Sequence, residues 1–338
     1  MKKNVIFRYS YRVIDKTPVK KRRLRPLGIV LLALGTLGAI GLLSFYISED
    51  ARSPGRPVVQ ATTNTVVSDT APLYDFGSVP FPIEGQAAIG TNQDDYAQLS
   101  GSEEVKPIAS ITKVITALAV LDKSPMQLGE TGDIITLTAK DEEYYREYVA
   151  KSGTVTAVAA GLKISQYDAL QAMLLPSSNN IADTLVDTYF ESREAYLEYA
   201  NELLQSYGLD STTVADASGF SPGSVSIPSE MIVVGRKALE NKIISEIVAK
   251  PNASIAVGGD IPNYNGLISV DGVTGIKPGL TDEAGHCLLF SADTVDADGN
   301  QVTVIGVVMG VFDYASYING ATELLSASKS VVESTKIP

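Results

Sequence analysis

The sequence predicts an α+β domain whose sheet draws on both ends of the chain. Three observations carry this. Short β-type segments lie near residue 90, helical periodicities fill the middle, and two long apolar strands precede a closing helix. In chain order, residues 86–89 and 96–100 read as an early hairpin. Residues 111–121 (ITKVITALAVL) are apolar on nearly every face and predict a buried helix. Residues 165–175 set Leu170, Met173 and Leu174 at helical spacing, with Ser165 as N-cap and Pro176 as stop. Residues 181–189, 193–207 and 229–239 also read as helices. Residues 287–292 and 302–311 read as strands around the turn DADGN at 296–300, and residues 321–332 as a final helix.

Ahead of this domain, residues 27–47 (LGIVLLALGTLGAIGLLSFYI) run for 21 residues without a charge. That length crosses a bilayer as a helix. Lys20, Lys21, Arg22, Arg23 and Arg25 precede it, and Glu49 and Asp50 follow. The positive-inside bias then puts the N-terminus in the cytoplasm and the body outside. A cleaved signal peptide has a shorter apolar region, roughly 7–15 residues, with a small-residue cleavage site. The expected organisation is a basic cytoplasmic arm (1–26), a single-pass transmembrane helix in the cell membrane (27–47), a polar linker (48–72) and one extracytoplasmic domain (73–332).

Charge and rare residues exclude several functions. The net charge is −12, but residues 1–26 carry ten Lys/Arg and one Asp, so the remainder carries −21. Such an acidic body disfavours nucleic acid, whose phosphates need Lys and Arg. The single Cys, Cys287, forms no internal disulfide, and His286 is the only histidine. A zinc site built from several His and Cys is therefore ruled out, and no metal or cofactor is expected.

Three short elements carry chemistry. Ser110-Ile111-Thr112-Lys113 opens the apolar helix. Free N–H groups at a helix start can hold an oxyanion. Lys113 lies three residues on, on the same face, where desolvation lowers its pKa and lets it take the Ser110 proton. Taken alone, S-x-x-K arises by chance about once in a chain this long. Its apolar surroundings make it unusual, because a buried Lys needs a reason. Pro176-Ser177-Ser178-Asn179-Asn180 lies between two helices. Ser177 could relay a proton and Asn179 position an amide, or the segment is an ordinary helix–helix turn. Gly275-Ile276-Lys277-Pro278-Gly279-Leu280-Thr281 precedes the first late strand. Lys277 could offer charge to an anionic group and Gly279 allow close backbone approach, or this is a surface turn.

Together the elements are more specific. S-x-x-K, an S-x-N loop and a K-x-G element occur in that order, at Ser110, Ser177 and Lys277, 67 and 100 residues apart. The flanking strings PIASITK, MLLPSSNN, NYNGLI, GVTGIKPG and TDEAGHCLLFSA agree. The chain resembles the D-alanyl-D-alanine carboxypeptidases, the low-molecular-mass penicillin-binding proteins of the serine peptidase type. The resemblance covers roughly residues 73–328.

The resemblance implies a penicillin-recognising transpeptidase/β-lactamase-like fold, a five-stranded antiparallel sheet flanked by helices. It implies Ser110 as nucleophile on the carbonyl between the terminal D-alanines of a peptidoglycan stem peptide, Lys113 as general base and Ser177 as proton relay. Asn179, Gly279 and Lys277, the last on the edge strand, would bind substrate, and the Ser110 and Leu280 N–H groups would form the oxyanion hole. β-Lactams would acylate Ser110. One departure stands out. The family's third motif has Thr where this chain has Pro278, which offers neither hydroxyl nor N–H to a substrate carboxylate. A D,D-endopeptidase uses the same residues, and a catalytically weak peptidoglycan-binding protein is the alternative that Pro278 supports. A class A β-lactamase is disfavoured, because no E-x-x-L-N string lies between Asn179 and Lys277. His286 and Cys287 read as a strand-end imidazole and a core thiol in preference to catalytic groups, Asp216-Ala217-Ser218-Gly219 as a turn, and Tyr144, Tyr145 and Tyr148 as a helix surface in preference to a border of the cleft.

Overall fold

A computed structural model describes residues 72–337 apart from Ser102. The expected arm, transmembrane helix and all but the last residue of the linker lie outside the described residues. Among the described residues no helix is long and apolar enough to cross a membrane.

The chain order begins with β1 (Gln86–Thr91), β2 (Ala97–Leu99) and β3 (Lys106–Pro107), then α1 (Thr112–Lys123), β4 (Ile134–Thr136) and α2 (Ala139–Ala150). There follow β5 (Lys163–Ser165), α3 (Gln166–Leu174), α4 (Asn179–Tyr189), α5 (Arg193–Ser206) and β6 (Val225–Ser226). Next come α6 (Pro228–Glu240), α7 (Lys242–Val248), β7 (Asn252–Ile255) and β8 (Gly259–Pro262). The chain closes with β9 (Val273–Thr281), β10 (Gly285–Val295), β11 (Gln301–Val311) and α8 (Tyr314–Ser334).

Five strands form one sheet in the order β2-β1-β11-β10-β9, and every pairing in it is antiparallel. The two ends of the chain meet in it, as Ala88 of β1 lies opposite Val307 of β11. Alternation along the strands builds a core on each face. Ile305, Val307 and Met309 face the central helices, while Val304 and Val308 face α8 through Leu324 and Leu325. Phe290 fills the α8 side, and Gly306 opposite it leaves room for the ring.

The local signals acted as expected at several points. α1 is buried from Thr112 to Leu121. Ser165 caps α3 by accepting from the Asp168 N–H at 3.1 Å. Two elements differ. The closing helix starts at Tyr314, because Asp313 caps it by accepting from the Ser316 N–H at 2.8 Å. The third motif, whose residues alone read as a turn at a sheet rim, lies inside β9, the edge strand of the sheet. Its two glycines and one proline mask the strand pattern, and pairing with β10 overrides them.

Candidate active site

Ser110 sits in a short 3-10 turn, Ala109–Ile111, just ahead of α1. The α-helix thus opens at Thr112 and not at the serine. The turn is tightened by the Thr112 hydroxyl, which donates to the Ala109 carbonyl at 2.8 Å. Ala109 takes φ 46, a left-handed conformation costly for a residue with a side chain. Gly219, at φ 71, packs beneath it, and a Cβ there would lie 1.8 Å from the Ala109 carbonyl oxygen. The Ser110 turn is therefore clamped from a distant loop.

Lys113 falls in the first turn of α1 and is wholly buried. Its Nζ donates to Ser110 Oγ at 2.9 Å, to Asn179 Oδ1 at 2.7 Å and to the Ser218 carbonyl at 2.7 Å. Burial dominates its titration and draws it down to about 7, against the opposing charges of Asp216 and Asp183. A lysine in this state can, once neutral, accept a proton from the hydroxyl it touches.

The second motif is held by the segment before α3. The Asn179 N–H donates to the Thr154 carbonyl at 2.8 Å. Asn180 pairs with the Thr156 backbone at 3.0 and 2.9 Å, and Ser178 bonds the Thr156 hydroxyl. This clamp presents Asn179 to Lys113 and holds Ser177, also buried, at φ 68. The third motif approaches from the sheet. Gly279 must be glycine, because a Cβ there would lie 2.9 Å from the Ser110 nitrogen. Lys277 is fully buried and donates to the Pro278 carbonyl at 3.2 Å. Burial drives its ammonium well below the usual lysine range, and the Lys113 charge pushes the same way. Leu280 turns its side chain outward.

The fold thus brings Ser110, Lys113, Asn179, Lys277 and Gly279 into one locus. Sequence reasoning missed two neighbours. The Asp216–Gly219 segment is a turn, as expected, but it also delivers the Ser218 carbonyl to Lys113. Asp216 shapes it by accepting from the N–H groups of Gly219, Phe220 and Ser221 at 2.7, 2.9 and 3.0 Å. An Asx-type turn was readable there, but its long-range destination was not. Tyr148 is buried, not on a helix surface, and donates to the buried carboxylate of Asp183 at 2.8 Å. His286 stacks on Tyr317 with centroids 4.8 Å apart, and Cys287 is a core thiol pushed up to about 11 by burial.

Residues 95–313 match the D-alanyl-D-alanine carboxypeptidase family. The chain belongs to that family. It is a serine DD-peptidase. A D-alanyl-D-alanine endopeptidase of Pseudomonas aeruginosa is 28% identical over 229 residues, covering 65% of this chain and 68% of that protein. A D-alanyl-D-alanine carboxypeptidase of a Streptomyces strain is 26% identical, covering 64% and 77%. The fold matches the crystal structure of a Streptomyces DD-transpeptidase at TM-score 0.66 and 22% identity, covering 75% of this chain and 99% of that one. A Listeria monocytogenes penicillin-binding protein in its ampicillin-bound form matches at TM-score 0.56 and 21% identity, covering 77% and 99%. The penicillin-recognising DD-peptidase fold expected for this family is the fold of the described residues.

Proposed function

We propose that the chain removes the terminal D-alanine from peptidoglycan stem peptides through an acyl-enzyme on Ser110. The observation that carries this is the 2.9 Å contact between Ser110 Oγ and the amine of a wholly buried Lys113. Neutral Lys113 takes the Ser110 proton as Oγ bonds to the substrate carbonyl carbon. The Ser110 and Leu280 N–H groups hold the resulting oxyanion. The C–N bond then breaks, and the departing D-alanine amine takes the proton back from Lys113 through Ser177. Water attacks the ester, gives its proton to Lys113, and Ser110 leaves as the reprotonated hydroxyl. Asn179 orients both Lys113 and the substrate amide, while Lys277 and Gly279 line the sheet side.

A labelled penicillin is the direct test. Covalent labelling that disappears in Ser110→Ala, with D-alanine released from a pentapeptide by the parent chain, supports the reading. A folded protein that takes no label counts against it and favours the weak-binder alternative.

Endopeptidase action on cross-links is the second reading. It is favoured by the relatives named D-alanyl-D-alanine endopeptidase in Pseudomonas aeruginosa and in Escherichia coli, the latter 26% identical over 275 residues. Comparing cleavage of a monomeric pentapeptide with that of a cross-linked dimer separates the two.

The 21 uncharged residues at 27–47 support an anchor that tethers a catalytic domain, residues 73–332, outside the cell membrane with residues 1–26 inside. Protease added to intact cells should digest the domain and spare an epitope tag on the N-terminus.

A further inference from the structure

Asp183 lies one turn beyond Asn179 on α4 and belongs to none of the three motifs. It is a carboxylate only 2% exposed, which a fold keeps at a cost unless it is paired. Its Oδ2 accepts from the Tyr148 hydroxyl at 2.8 Å and its Oδ1 from Arg193 at 3.0 Å. The same Tyr148 hydroxyl lies 3.5 Å from Ser218 Oγ, and the Ser218 carbonyl accepts from Lys113 at 2.7 Å. Arg193 is half exposed and lines a cleft of about 610 Å³ between α2 and α4. A polar line thus runs from that cleft through Arg193, Asp183 and Tyr148 to Ser218, whose hydroxyl donates to Asp216 at 3.1 Å while its backbone carbonyl accepts from the amine beside Ser110.

We infer that Asp183 is a positioning residue for the Ser110–Lys113 pair, which with Tyr148 and Arg193 sets the protonation of Lys113 from behind. The inference rests on Lys113 being the base.

The charges that face these groups give it a sign. Lys113 is faced by Asp216 from the 216–224 loop, by Asp183 from α4 and by Lys277 from β9. Asp183 is faced by Arg193 from α5, Tyr148 from α2, and the carboxylates of Asp216 and Asp187. Burial lifts Asp183 to about 6, and Arg193 and the Tyr148 hydroxyl restrain the rise. Tyr196, buried beside Thr116, is held neutral by burial. Asp183 is therefore mostly charged near neutrality, Arg193 helps to keep it so, and its charge favours protonated Lys113.

The test is the pH profile of Ser110 acylation by a fluorescent penicillin, measured from about pH 5 to pH 9 on the full chain. Asp183→Asn removes the charge, so Lys113 releases its proton more easily. The acidic limb should move down by about half a pH unit or more, raising the ratio of the rate at pH 6 to that at pH 8 about twofold. Arg193→Gln separates the relay from direct electrostatics. Acting straight on Lys113, loss of a cation raises its pKa and moves the limb up. Acting through Asp183, it lets the carboxylate take up a proton and moves the limb down. The double variant should match Asp183→Asn alone, because the effect of Arg193 passes through Asp183. Tyr148→Phe keeps the packing and should shift the limb the same way by less, which carries the test if Asp183→Asn fails to fold. A limb unmoved in folded variants, with only its height lowered, would leave Asp183 a structural ion pair and overturn the inference. So would an upward shift in Arg193→Gln. A parent chain that takes no label, or takes it outside Ser110, instead removes the base reading and this inference with it.

Discussion

Two lysines are wholly buried in this site, and they are kept there differently. Lys113 has three acceptors within 2.9 Å and two carboxylates near enough to feel. Among the described residues Lys277 has one carbonyl, at 3.2 Å, and the charge that bears on it is that of Lys113 itself. Both are pulled down by burial, but only Lys113 is partly restored, to about 7. The first is thereby poised to exchange a proton at neutral pH. The second has a position for a counter-charge that no carboxylate among the described residues fills. A ligand carboxylate would supply it, and in low dielectric that pairing is strong.

The largest expected effect follows from this division. Lys113→Ala should lower Ser110 acylation by labelled penicillin about a thousandfold or more, the usual scale for losing a positioned base beside its nucleophile. Stopped-flow labelling reads it. If Lys113→Ala and Lys277→Ala were equally damaging at every pH, the assignment of different tasks would collapse.

Lys277→Ala should cost less, roughly a hundredfold, in kcat/KM for ligands that carry the carboxylate. The loss should shrink for analogues in which that carboxylate is esterified. The two lysines should also part company in stability. Lys277→Met replaces a poorly partnered buried amine by an apolar chain of similar length, and should raise Tm by roughly 3 °C. Lys113→Met should give no such gain, because it leaves Asn179 Oδ1 and the Ser218 carbonyl without their donor. Thermal melts of the two variants check both statements.

The titration of Lys113 sets the third effect. As the proposed base Lys113 works neutral, so activity is expected above its pKa of about 7 and should be lost as pH falls through it. Acylation should drop about tenfold per pH unit below that point. The profile of Lys277→Ala should keep the limb, since the group that titrates there is Lys113.

Lys113 was far more legible in the sequence than its surroundings. An i, i+3 spacing put it beside Ser110, and the apolar run ITKVITALAVL marked the buried helix that carries it. Ser165 and Pro176 likewise marked the helix that leads into Ser177, because caps and stops act within a few residues. What escaped depends on contacts far apart in the chain. The Ser218 carbonyl reaches Lys113 across 105 residues, and Tyr148 reaches Asp183 across 35. A turn signal at Asp216 or a tyrosine on an acidic helix says nothing about which element it will meet. Lys277 by its own residues read as a rim or turn lysine, and only the family's pattern placed it on the edge strand. Its burial comes from the packing of β9 between β10 and the Ser110 turn.

Pro278 gives the smallest effect and the most direct view of the Lys277 side. It lies on the edge strand opposite Leu288 of β10, and its carbonyl is the one acceptor of the Lys277 amine. An edge strand accepts proline where no partner strand requires the N–H, so the fold is kept. A carboxylate placed beside Lys277 finds no hydroxyl at this position. Pro278→Thr restores one, worth a single hydrogen bond to a charged group after its own desolvation. D-alanine release from a stem peptide should then rise roughly threefold to tenfold in kcat/KM, on the scale of that bond. Labelling of Ser110 by an esterified penicillin should stay within about twofold, because it presents no carboxylate to hold. An equal gain for the ester would place the effect in the backbone, through the N–H that threonine returns to the strand. No gain for either ligand would mean that Lys277 alone holds the carboxylate, and that proline here costs the enzyme nothing.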